Sequence, residues 1–262
     1  MNVLYFNPAG SIGGAEMCLL DLLASTIRAK PSWRLAVILG DDGPLRLAVE
    51  RLGVRCLVEP MPESVTVLGD SGRGGGKLLA KMAASSAHAL AYWSKLRRLI
   101  RSERPGLIQT NGMKAHLLGT WAAPRGVPVV WHLHDYLSPR PAMARLLRLS
   151  SRRPGVSLVA VSRSVAEDAR RVLGNKVPIR AIHNAVDVHR FMPGAGDGPA
   201  LDRASGLPDA PPGTVRVGLV ATFALWKGHE VFFEAIARMS DGSIVASLGF
   251  TAVVRCGQTA TS

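Results

Sequence analysis

Asn2-Val3-Leu4-Tyr5-Phe6-Asn7-Pro8-Ala9-Gly10-Ser11-Ile12-Gly13-Gly14-Ala15-Glu16-Met17 decides the fold. Val3 to Phe6 form a compact apolar run, the mark of a buried strand rather than a half-exposed one. Asn7, Pro8, Gly10 and Ser11 break it. Met17, Leu20, Ala24 and Ile27 then recur at helical spacing, widened by Leu19 and Leu23. Gly13 and Gly14 therefore fall at a helix N-terminus, where unpaired N–H groups and the helix dipole favour an anion. The order Gly10-x-x-Gly13-Gly14 is neither the G-x-G-x-x-G of dinucleotide binders nor a P-loop, since no Gly-Lys-Ser/Thr follows.

The same alternation continues. Strands are predicted at Trp33–Leu39, Val54–Val58, Leu107–Thr110, Val127–Leu133, Val156–Val161 and Val177–Ile182. Helices are predicted at Pro44–Leu52, Leu78–Ser102, Met113–Ala123 and from Ser162, as cap, to Leu173. Alternating strands and helices imply βαβ units and a parallel sheet, an α/β fold. In the long helix Leu90, Trp93, Leu96 and Ile100 make the expected apolar stripe, with Lys95, Arg97, Arg98, Arg101 and Arg104 crowding its end. That helix either packs on the sheet or offers a basic, Trp-bearing face to a membrane. Residues 69–77 read as a flexible basic loop, and 193–213, rich in Gly, Pro, Asp and Ala, as a linker. A second unit restarts with a strand over Val215–Ala221, a loop, and a helix over Glu230–Arg238.

Of 262 residues, 47% are apolar and 19% charged, the composition of a core-forming chain. The formal net charge of +13 points to an anionic partner: nucleic acid, an acidic membrane surface or phosphorylated small molecules. Aromatic residues make up only 5%, too few to interleave stacking platforms among the cations, so nucleic acid is not expected. Cys18, Cys56 and Cys256 form no C-x-x-C pair, which fits a reducing compartment and offers no metal site. No basic leader precedes the first strand and no apolar run spans a bilayer, so a cytoplasmic protein, at most peripheral to the inner membrane face, is expected.

In open parallel sheets, ligands bind beyond the carboxyl ends of the strands. Five polar clusters fall there: Gly13-Gly14, Thr110-Asn111-Gly112, His132/His134/Asp135, Ser162-Arg163-Ser164 and His183-Asn184. His132 and His134 are read as pointing to opposite faces, with His134 nearer the rim. No Asp-x-Asp pair is available for a diphosphate-bound Mg²⁺, so backbone amides and cations such as Lys227 would have to neutralise a diphosphate.

Five of these stretches resemble the retaining, two-domain GT-B glycosyltransferases of the family-4 type. They are Gly13-Gly14-Ala15-Glu16, Trp131-His132-Leu133-His134-Asp135, Val161-Ser162-Arg163-Ser164, Ile182-His183-Asn184-Ala185-Val186-Asp187 with Arg190-Phe191, and Val217-Gly218-Leu219-Val220 with Trp226-Lys227-Gly228-His229. The resemblance implies a doubly wound, Rossmann-like acceptor-side domain over 1–192, a hinge over 193–213 and a partial donor-binding domain over 214–262. It implies transfer of a sugar from a nucleotide-diphosphate donor to a saccharide or lipid-linked acceptor, with retention and without a cofactor or required metal. His134 would hydrogen-bond the transferred sugar; Gly13, Gly14, Lys227 and Thr222 would meet the diphosphate. Glu16, Asn111, His132, Asp135, Ser162, Arg163 and Asn184 would line the acceptor rim. Thr222 stands where many relatives carry Arg, and Ala185 where Gly is usual. No counterpart of the later Glu-x7-Glu region follows, and the stretch after Met239 departs from the family, the pattern of a truncated or frameshifted gene product. Such a chain is expected to show little transfer alone. The alternatives are a basic module that binds nucleic acid or membrane without catalysis, and a nicotinamide enzyme, which the missing glycine fingerprint argues against.

Overall fold

A computed structural model describes residues 1–62, 78–189, 191–194, 196–211, 213–221 and 227–240, with the side chains of 78–87 and 240 outside the description. The chain divides into two units, Met1–Val186 and Asp187–Ser262.

The first unit is an alternation of strands and helices: β1 (Asn2–Asn7), α1 (Gly14–Ala29), β2 (Arg34–Leu39), α2 (Pro44–Arg51), β3 (Arg55–Val58), α3 (Leu78–Ser102), β4 (Leu107–Asn111), α4 (Met113–Ala122), β5 (Val129–Leu133), α5 (Pro141–Ser150), β6 (Val156–Ala160), α6 (Arg163–Leu173) and β7 (Ile179–Ala181). Helix α5 was not foreseen; Pro141 at its start supplies the φ a first helical turn wants. All seven strands pair in parallel in the order β3-β2-β1-β4-β5-β6-β7. This is the doubly wound α/β arrangement, and its direction reverses between β1 and β4.

Strand periodicity divides the core. Val3, Tyr5, Val37 and Leu39 face α1 and α2, meeting Leu19, Leu23, Leu45 and Val49. Leu4, Phe6, Ile38, Ile108 and Trp131 face the other way and meet α3 to α6. Helices thus cover both sides of the sheet. In α3 the buried stripe is Tyr92, Leu96 and Ile100 at i, i+4, i+8. Leu90, expected in it, is 65% exposed. Trp93 packs against the core with the Arg97 guanidinium 5.1 Å above its ring, so the indole is not displayed as a membrane anchor.

Two close approaches shape the ends of β1 and β2. A Cβ on Gly10 would lie 2.5 Å from the Asp42 carbonyl carbon, and one on Gly43 2.6 Å from the Gly10 oxygen. The Leu45 N–H donates to that same Gly10 oxygen at 2.9 Å. Only glycine lets these two backbones touch.

In the second unit, Gly198–Ala204 forms helix α7 inside the stretch read as a linker. Arg216 donates to both Asp202 carboxylate oxygens, at 2.7 and 2.6 Å, and ties the following chain to it. The strand expected at Val215–Ala221 does not form. Among the described residues nothing pairs with it, and a strand with no ladder partner leaves its backbone groups to water. His229–Ser240 forms helix α8. The basic loop 69–77, Thr222 and the segment 241–262 lie outside the described residues.

Candidate active site

The reversal of the sheet opens a cleft where β1 and β4 end. Asn7, Pro8, Ala15 and Glu16 line one side, and Asn111, Gly112, Met113, His116, Leu133, His134, Asp135, Leu137 and Arg140 the other, around a volume of about 180 Å³. Gly112 makes the junction: its φ of +78° is left-handed, and a Cβ there would come within 3.3 Å of the Pro8 ring.

The cleft holds buried polar atoms that the protein leaves unpaired. Asn111 is 3% exposed, and neither its Oδ1 nor its Nδ2 has a partner. His134 Nε2 and Asn7 Oδ1 are buried and unpartnered as well. Native proteins satisfy most such groups, so a cluster of orphans in one concave site makes this cleft the candidate ligand site.

Asn7 and Glu16 hold each other: Asn7 Nδ2 donates to Ala9 O at 2.8 Å and to Glu16 Oε1 at 3.3 Å. Glu16 Oε2 accepts from the Gly13 N–H at 3.0 Å, half of a capping box. Gly13 and Gly14 are exposed at the start of α1, and a Cβ on Gly14 would meet nothing within 4 Å.

Three histidines adjoin the cleft. His116 is fully buried, bonded through Nδ1 to Thr110 Oγ1 at 2.8 Å and stacked on Trp131 with centroids 5.3 Å apart. Trp131 Nε1 donates in turn to Thr120 Oγ1 at 2.8 Å. The His132 and His134 rings lie 4.2 Å apart, centroid to centroid. They share a side of the strand rather than pointing to opposite faces, because strand side chains repeat with period two. His132 sits away from the cleft lining, near Gln109 Nε2 at 3.5 Å. Burial pushes all three imidazoles toward the neutral form. His116 falls well below the usual range through burial and then the neighbouring histidines. His132 falls to about 4 through burial and His134. Burial also lowers His134, against the opposing pull of Asp135 and Glu16.

Such histidines set a pH dependence of stability. The unfolded chain takes up protons below about pH 6.5 while the folded imidazoles stay neutral, so stability falls as pH drops through that point. His116 alone should cost about 1.4 kcal/mol per pH unit from about 6.5 downward until it protonates in the fold. Urea midpoints measured between neutral and mildly acid pH check this; a flat profile would count against it.

The loop carrying Asp135 and Arg140 is anchored from outside. Asp168, buried on α6, accepts from the Leu137 N–H at 2.7 Å and the Ser138 N–H at 3.1 Å, with Arg171 at 3.6 Å. Burial would raise its pKa; the bonds from Ser138 and Leu137 and the Arg171 charge outweigh it and hold the carboxyl below its usual value. Asp168→Ala should cost about 2–4 kcal/mol, since two amides lose their acceptor. Thermal melts would show it, and an unshifted melt would mean the loop is held otherwise.

Of the residues singled out in the sequence, Glu16, Asn111, His134 and Asp135 line one cleft. Gly13 and Gly14 abut it through Ala15 and Glu16. Ser162 Oγ accepts from Val165 N at 3.1 Å as the cap of α6, while Arg163 and Asn184 are exposed and do not line the cleft. Lys227 is exposed in the second unit. Asn7, Leu137 and Arg140 were missed; an Asn directly ending an apolar strand was the available signal for Asn7.

A doubly wound α/β domain with a polar cleft at its switch point is a Rossmann-like unit. The chain belongs to glycosyltransferase family 4, whose profile matches residues 12–190. Among solved structures it resembles Alr3699/HepE of Anabaena in complex with UDP-glucose, at 24% identity and a TM-score of 0.68, over 91% of this chain and 57% of that one. It also resembles sucrose-phosphate synthase of Thermosynechococcus elongatus, at 14% identity and a TM-score of 0.59, over 91% and 60%. The chain thus spans less than two thirds of either. No curated protein matches it in sequence. Among the described residues no helix is long and apolar enough to cross a membrane.

Proposed function

We propose that the chain supplies the acceptor-side half of a retaining, metal-independent glycosyltransferase. It takes a sugar from a nucleotide-diphosphate donor to a saccharide or lipid-linked acceptor, at an acidic membrane face on the cytoplasmic side. The observation that carries this is the group of unpaired buried atoms of Asn7, Asn111 and His134 in the switch-point cleft. A sugar hydroxyl both donates and accepts, which is what a carboxamide and a neutral imidazole together require. Family membership and the likeness to a UDP-glucose complex support the donor class.

In this reading His134 bonds the transferred sugar. The diphosphate comes to the open start of α1 at Gly13 and Gly14, where it competes with Glu16 for the Gly13 amide. Lys227 and, by the family resemblance, Thr222 would meet the diphosphate and offset charge building on the leaving phosphate. Asn111, Asp135 and Glu16 orient hydroxyls in the cleft, with His132, Ser162, Arg163 and Asn184 toward the acceptor. The test is a titration of the chain with UDP- and GDP-sugars and with free saccharides, followed by amide and imidazole chemical shifts. Saccharide-induced shifts centred on Asn7, Asn111 and His134, unchanged by EDTA, are expected. Shifts elsewhere, or none at saturating sugar, overturn the reading.

A further inference from the structure

The outer face of α5 carries exposed apolar side chains beside exposed arginines. Met143, Ala144, Leu147 and Ser150 are buried against the core. The opposite side leaves Leu146 43% and Leu149 56% exposed, between the exposed Arg145, Arg148 and Arg152. Trp121, at the end of α4, joins them at 52% exposure. Its indole Nε1 donates to Ser150 Oγ at 2.8 Å, and Ser150 Oγ donates to Leu146 O at 2.9 Å, which pins the ring against the last turn of α5. With its one polar atom already bonded, the rest of the ring can enter an apolar medium without losing a hydrogen bond.

The charge around this apolar patch has one sign. From Arg104 to Ala166 the sole acidic residue is Asp135, in the cleft. Among the described residues none of Arg145, Arg148 and Arg152 has a carboxylate partner. On the neighbouring α6 the exposed carboxylate is Glu167, beside Arg163, Arg170 and Arg171.

We infer that Trp121, Leu146 and Leu149, flanked along one side by Arg145, Arg148 and Arg152, form the surface by which this domain docks on an anionic lipid bilayer. An exposed Trp and Leu pair set among arginines is the chemistry of an interfacial helix: the apolar side chains sit at the acyl boundary and the guanidinium groups meet lipid phosphates. Nucleic acid would answer the charge but not the leucines. The inference rests on the membrane part of the proposed function and replaces the face of α3 with that of α5. Arg140, which lines the cleft, directly precedes α5, and a helix of 10 residues is about 15 Å long. Docking on this face therefore keeps the cleft within reach of a lipid-borne headgroup.

Co-sedimentation of the chain with vesicles tests it, using phosphatidylcholine alone and equal parts phosphatidylcholine and phosphatidylglycerol. The chain should bind the mixed vesicles and not the neutral ones, and added salt should release it. Arg145→Gln with Arg148→Gln should weaken binding about 25-fold, near fivefold per arginine. Trp121→Ser with Leu149→Ser should weaken it at least about tenfold, and circular dichroism should report an unchanged fold for both. If the parent chain ignores the mixed vesicles, the membrane reading itself fails. If it binds them and both folded double variants bind equally well, the membrane reading stands and the assignment to α5 fails. A gel shift with duplex DNA that the arginine variant abolishes, with vesicle binding unchanged, overturns the inference in favour of nucleic acid.

Discussion

Replacing Asn111 by Leu should make the domain more stable and deprive it of its ligand. The side chain is buried at the end of β4 with both amide atoms unpaired. A buried polar group without a partner costs about 1–3 kcal/mol, and leucine fills much the same volume without that cost. Asn111→Leu should therefore raise the urea midpoint by an amount equivalent to about 1–3 kcal/mol. The same change removes a donor and an acceptor from the cleft, so saccharide affinity should fall at least about tenfold, or about 1.4 kcal/mol. Most substitutions of buried residues destabilise, so a gain in stability coupled to a loss of binding separates a ligand-binding amide from a packing one. A less stable variant with undiminished binding would show that Asn111 serves the fold.

His134→Ala should act on turnover. Its Nε2 is buried and unpartnered, and burial keeps the ring neutral near pH 7. Loss of one preorganised hydrogen-bonding group at a reacting centre lowers kcat by about 10²–10³-fold. Release of nucleoside diphosphate from a nucleotide-sugar measures it once the chain is supplied with a complete donor-binding domain, because the chain alone is expected to show little transfer. Thermal stability should hold, because the protein gives that nitrogen no bond to lose. The pH profile carries a sign. Activity should persist from neutral into mildly acid solution and fall only when pH drops below the lowered pKa, where protonation removes the ring's acceptor. A decline centred at the ordinary histidine value, or His134→Ala at full rate, would sink the assignment.

The alternation of strands and helices was legible because most strands are short apolar runs, with asparagine, proline or glycine closing β1, β2 and β4. The neighbours of those strands were not. Asn7 and Asn111 are 104 positions apart in sequence, and only the crossover that sets β4 beside β1 brings them to one cleft. Arg140 and Leu137 were unreadable for a related reason: Asp168, 31 and 30 positions from Leu137 and Ser138, holds their loop in place. The proximity of His132 and His134 was legible and was misread, since alternate residues of a strand share a side. The strand expected at Val215–Ala221 has the right residues, but apolar content does not make a strand without a neighbour to bond.

The contact of Gly10 with Gly43 bears on how the glycine turn can respond to a ligand. The Leu45 amide and the Asp42 carbonyl rivet the turn at its midpoint to the neighbouring βα connection. The half that precedes the rivet is fixed to the sheet. The half that follows, Ser11 to Gly13, is tied to the start of α1 through the Gly13 amide and the Glu16 carboxylate. An anion that takes the Gly13 amide would therefore have to displace the Glu16 carboxylate, not the backbone behind it.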